Sequence, residues 1–156
     1  MLVLDVVNRT VIATIATGNF PAAAAVTPDG AQAWVTSVFE ESVTIVDTLT
    51  NTFATRITGV SNGWGIGFSP DGTRSYVADS ALSGGGLFVI DASNYRSITK
   101  IALGNSPRTV AVTPTGRPVF ATNRGSDFIS QIDARTNKLI RNIQVGPAME
   151  GIQFVK

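Results

Sequence analysis

Two short phrases return along this chain at one common interval. LVLD, TIVD, FVID and SQID end on Asp5, Asp47, Asp91 and Asp133, at steps of 42, 44 and 42 residues. WVTS, YVAD and FATN begin on Trp34, Tyr76 and Phe120, again 42 and 44 apart. A catalytic motif occurs once, whereas a phrase copied along a chain is a structural unit. Two independent phrases with one period of about 40–45 residues match the length of a four-stranded propeller blade.

Each unit divides into four short runs rich in Val, Ile, Thr and aromatics, the composition of strands. Strand A is PAAAAVT (Pro21–Thr27), GWGIGFS (Gly63–Ser69) and PRTVAVT (Pro107–Thr113). Strand B is AWVTS, SYVAD and VFATN; strand C is the phrase ending in Asp; strand D is TVIATIA, TFATRIT, SITKIAL and KLIRNIQ. No stretch sustains a helical period. Ala22–Ala25 are in register with the strand A of sister units and are expected as strand. PDG at Pro28–Gly30 and Pro70–Gly72, with Pro114-Thr115-Gly116 as the third copy, suits a tight A–B turn. The aspartates of strand C are expected to cap the C–D turns, where Asn8, Asn51, Asn94 and Asn137 follow them.

The expected fold is therefore all-β: a β-propeller of four-stranded antiparallel blades, about 3.5–4 repeats in this chain. The units fall at residues 1–19, 20–62, 63–105, 106–147 and 148–156, carrying strands C-D, A-D, A-D, A-D and A within a single propeller or half-propeller domain. Strand B of the shared blade is missing from that list. An open ring exposes blade faces and strand edges, which invite pairing with other chains. A fragment of a larger propeller, a ring built from two chains and a strained four-blade ring all satisfy the arithmetic. Self-association into a dimer that completes a larger ring is the favoured outcome.

Composition closes several doors. The chain has no Cys and no His, which removes thiol nucleophiles, disulfides, Cys/His metal sites and histidine as base or haem ligand. Formal net charge is +1 with no run of Lys or Arg, so nothing points to nucleic acid. No apolar run approaches a membrane span, and the first residues, MLVLDVVNRT, do not read as a signal peptide.

The charges sort by loop. Glu40, Glu41, Asp79, Asp127 and Glu150 fall on or beside B–C and D–A connections, with only Arg108 and Arg124 among them. That end is expected to be acidic and to attract a cation or a basic partner. One position of strand A varies sharply between units: Ala22, Trp64, Arg108 and Glu150. It is the expected recognition surface near the channel mouth, with Phe20 and Trp64 for apolar contact and Arg108 as an anion clamp. Glu40, Asp79, Asn123, Arg124 and Asp127 complete the candidate set. No cofactor is required, although Glu40, Asp79, Asn123, Asp127 and Glu150 carry the oxygen atoms that a hard cation such as calcium takes.

SPDG before YVAD and VID after it, with WVTS and FATN in sister units, resemble the YVTN-type β-propeller repeat, a WD-like tandem repeat. The resemblance covers almost the whole chain and implies a bacterial or archaeal protein, periplasmic, secreted or cell-surface, without an established catalytic role. Family members have seven blades, and this chain holds about half of them. The resemblance implies a non-enzymatic binding or scaffold module that engages a protein or surface ligand. The alternative is a hydrolase similar to propeller lactonases, with a divalent cation at the channel mouth.

Overall fold

The computed structural model describes residues 1–81, 84–147 and 149–154. A two-stranded hairpin comes first, β1 (Leu2–Asp5) with β2 (Thr10–Thr14). Three four-stranded antiparallel meanders follow. Blade 1 is β3 (Pro21–Val26), β4 (Gln32–Ser37), β5 (Ser42–Asp47) and β6 (Thr52–Thr58). Blade 2 is β7 (Gly63–Phe68), β8 (Arg74–Asp79), β9 (Gly86–Asp91) and β10 (Ser97–Ala102). Blade 3 is β11 (Pro107–Val112), β12 (Val119–Asn123), β13 (Phe128–Asp133) and β14 (Lys138–Gln144). Each meander runs A-B-C-D, and the chain is a β-propeller array of full blades preceded by a C–D hairpin.

The turns hold as their chemistry requires. Gly30, Gly72 and Gly116 take φ of 76°, 71° and 75° in the A–B turns. The Asp29 carboxylate accepts the Ala31 amide and the Thr27 hydroxyl; Asp71 repeats this with Thr73 and Ser69. In the C–D turns Asp5, Asp47, Asp91 and Asp133 each accept backbone amides two or three residues on. Arg9, Asn51, Tyr95 and Asn137, each four residues past the Asp, take φ between 56° and 63°.

These hydrogen bonds hold all six carboxyls below the ordinary 3.8. As pH falls the unfolded chain takes up protons first, because its carboxyls titrate higher. The turns therefore support the fold fully above the unfolded carboxyl pKa. That support fades as pH drops through about 4 and below. Melting temperature should be flat from pH 7 to about 5 and fall steadily towards pH 2; a flat profile to pH 2 would contradict the turn assignment.

Blade stacking follows one rule. In strand C the residue before the Asp faces the preceding blade, and its predecessor faces the following one. Val3 thus shares a cluster with Ala33 and Val46. Ile45 and Trp34 share one with Val77 and Ile90. Val89 and Tyr76 share one with Val119, Ala121 and Ile132. The inner strands β3, β7 and β11 lie side by side, β7 between the other two. They approach so closely that a Cβ on Gly65 would stand 2.7 Å from Thr109 Cα. A side chain does not fit at Gly65.

The series stops with two open faces. Leu4, at the position of Val46, Ile90 and Ile132, is 59% exposed. Phe120, at the position of Trp34 and Tyr76, meets only the Phe154 ring among the aromatics of the described residues, at 5.4 Å. The expected closing strand over 148–156 is corrected for its described part: residues 149–154 form no strand, and 148, 155 and 156 lie outside the described residues. Residues 149–154 pair with no strand among the described residues, and a lone segment forms no ladder. The segment instead runs beside β11, where the Thr109 hydroxyl donates to the Glu150 carbonyl at 2.5 Å.

Candidate functional site

The D–A and B–C connections meet at one end of the array because the backbone ties them. The carbonyls of Phe20, Asn62 and Ser106, each just before a strand A, accept the amides of Val38, Ser80 and Arg124. All three residues are in the left-handed region, with φ of 56°, 48° and 52°. Asn62 tolerates that conformation, while a bulky aromatic there is strained by about 1 kcal/mol or more.

That strained residue starts a row of side chains. The Phe20 ring lies 5.1 Å from Phe39 and 6.0 Å from Trp64, edge to face with the latter. The Arg108 guanidinium stacks on the Trp64 ring, 3.6 Å from its centroid. Phe20 and Phe39 are 51% and 69% exposed, so the row begins in solvent and ends at the inner strands. Arg108 Nε is buried without a hydrogen-bond partner among the described residues. Burial holds the Arg108 pKa down, Arg124 pushes the same way, and Glu150 opposes both. Arg124 Nε donates to Glu150 Oε1 at 2.5 Å, forming an exposed ion pair beside the row.

The structure thus joins Phe20, Trp64, Arg108, Arg124 and Glu150 at one place, and adds Phe39, which the sequence reading missed. Its signal was available: Phe39 follows Trp34 by five residues on a short B–C turn, where an exposed aromatic has no packing role. The other candidates lie apart. Glu40 pairs with Arg56 at 2.8 Å. Asp79 is fully buried and pairs with Lys100 at 2.6 Å. Asn123, also buried, accepts the Gly104 amide and donates to the Phe128 carbonyl and the Ser130 hydroxyl. Asp127 is exposed, and its carbonyl holds the Val145 and Gly146 amides.

Asp79 and Asn123 occupy one repeat position, the last of strand B, whose third copy is Ser37. Ser37 is buried too, and its hydroxyl donates to the Thr17 carbonyl. The position ties the scaffold from inside. The expected acidity of this end is also reduced. Arg56 on β6 and Lys100 on β10 reach over and hold Glu40 and Asp79. Among the described residues no three acidic side chains converge on one point.

No family model and no curated protein matches the sequence. Among solved structures the chain is similar to a chain of Kuenenia stuttgartiensis hydrazine synthase, at 30% identity with a TM-score of 0.84. The likeness covers 92% of this chain and 42% of that one, so this chain spans less than half of its relative's length.

Proposed function

We propose that this propeller is a non-enzymatic binding module, engaging a protein or surface ligand through the B–C/D–A end, and that it is of the YVTN type. One observation carries the reading. Phe20 keeps a strained backbone where sister units use Asn62 and Ser106, and the ring so placed completes an exposed Phe39–Phe20–Trp64–Arg108 row. Tyr95, the other bulky aromatic in this conformation, packs its ring between blades, whereas the Phe20 ring is half in solvent, which points to use rather than folding. Aromatics and arginine are also the residue types that dominate binding hot spots. Recognition rests on this row rather than on a negative field, because the neighbouring acids already hold cations; Glu41 and Asp127 supply the remaining negative rim. A calcium site built on Glu40, Asp79 and Glu150 would have to displace those cations.

The likeness to a hydrazine synthase chain supports the scaffold. One fold hosts many activities, and less than half of that relative is matched, so the enzyme's reaction is not transferred here. The open faces favour a second element of the proposal: a second copy of this chain, with Leu4 of one set against Phe120 of the other. The interface would continue the one already made three times inside the chain.

A row of this kind suits an apolar side chain next to a carboxylate. The probe is acetyl-Phe-Asp-Phe amide, with acetyl-Phe-Lys-Phe amide as its basic counterpart. Trp34 is fully buried, so a change of tryptophan emission reports Trp64. The acidic peptide should saturate below about 1 mM, and Phe20→Asn should weaken it about tenfold without lowering the melting temperature. Tighter binding of the basic peptide, or no saturable change with either, would overturn the row as the recognition surface.

A further inference from the structure

Blades 1 and 2, and blades 2 and 3, leave a crevice between them at the A–B/C–D turn end, opposite the aromatic row. The two crevices are built from the same repeat positions and should be alike. They are not. Between blades 1 and 2 the cavity is about 190 Å³, and between blades 2 and 3 it is about 380 Å³.

The difference traces to two repeat positions. Tyr95, four residues after Asp91, fills the first crevice. Its hydroxyl accepts Gln32 Nε2 at 2.8 Å, Gln32 Oε1 accepts Trp34 Nε1 at 2.9 Å, and the Trp34 and Tyr95 rings lie 5.7 Å apart. In the second crevice Asn137 stands where Tyr95 stood, and Arg74 stands where Gln32 stood. Asn137 is too short to fill the space. Arg74 crosses it, donating to the Ala134 carbonyl and, at 3.3 Å, to Asn137 Oδ1.

The space left over is lined by three arginines, Arg74, Arg117 and Arg135, with Tyr76, Ser69 and Thr115. Arg117 and Arg135 are exposed, and neither side chain has an ion-pair or hydrogen-bond partner among the described residues. One carboxylate, Asp71, also lines the cavity. It is already committed to the Ser69 hydroxyl and the Thr73 amide and hydroxyl. Asp133 lies on the same turn as Arg135 and accepts the Arg135 and Thr136 amides. Three cations therefore face one engaged carboxylate across a cavity of ligand size. Guanidinium forks in such a setting match the geometry of a phosphate.

We infer that the crevice between blades 2 and 3 binds a phosphate-bearing small molecule, held by Arg117 and Arg135 on a floor fixed by Arg74. Pro70 and Ala134 give the body of the ligand an apolar wall. Both walls lie within this chain, so the site does not depend on how the ring closes. It is also separate from the aromatic row, and each can fail without the other.

Calorimetric titration of the intact chain with inorganic pyrophosphate tests this. Saturable binding is expected below about 10 mM. Raising salt from about 50 to about 300 mM should weaken it. The double variant R117A/R135A should weaken it at least about tenfold, and both side chains are exposed, so its melting temperature should match the parent. Phe20→Asn should leave it unchanged. No saturable heat, or equal affinity in the folded double variant, would overturn the site. Citrate binding more tightly than pyrophosphate would overturn the phosphate assignment.

Discussion

Replacing Trp34 by alanine lowers the melting temperature by roughly 6–20 °C. Trp34 is wholly buried and stands where blade 1 meets blade 2. Its ring meets Phe68 edge to face at 5.2 Å and Tyr95 at 5.7 Å. Truncation leaves a cavity flanked by Val77 and Ile90, and it orphans the Gln32 carbonyl that accepted the indole N–H. Large-to-small changes of this type cost about 3–5 kcal/mol, and each kcal/mol shifts a domain of this size by about 2–4 °C. Trp34→Phe should fall between, since it keeps most of the packing and loses the hydrogen bond. Leu49→Ala is the control: Leu49 is 90% exposed on a C–D turn and should change stability by less than about 0.5 kcal/mol. A Trp34→Ala protein that melts within about 2 °C of the parent would show that the blades do not depend on this contact.

Light scattering on a sizing column should give a discrete species of twice the 16.4 kDa chain mass. Two arrays that meet head to tail bury Leu4 of each against Phe120 of its partner, and the assembly closes if the rotation between them closes. Leu4→Glu places a charge in both interfaces at once. Leu4 is 59% exposed within one chain, so the variant should retain its fold and run as a monomer. A parent chain that is monomeric at high micromolar concentration would refute the pairing. A Leu4→Glu dimer would place the contact elsewhere.

The blades were legible because what defines them is local. A period of 42 or 44 residues, a Pro-Asp-Gly turn and an Asp that caps the next turn all lie within a few residues of what they control. Strand limits followed to within a residue or two: strand A ends at Val26, Phe68 and Val112 rather than one residue later. Side-chain partners were not legible, because they cross strands. Lys100 reaches Asp79 because Gly86 lies between them without a side chain. The Lys100 stem passes 3.5 Å from where a Cβ would stand, and the Phe88 ring lies 4.9 Å from its ammonium. Gly86 opens β9. At the variable strand A position Arg108 stacks on Trp64, whereas Glu150 binds Arg124. The arginine-lined crevice was not visible at all, since it arises from what Asn137 fails to fill.

The stacking rule has a genetic consequence. Each blade carries, on its two sides, the two halves of one joint: an aliphatic residue just before the Asp on one side, an aromatic from strand B on the other. A copied segment of 42 residues therefore arrives already fitted to its own parent. Such a chain can lengthen by duplication without inventing a contact. Individuality accumulates afterwards around that aliphatic–aromatic pair, and Phe20, Tyr95, Asn137 and Arg117 are where this chain has diverged from its own copies.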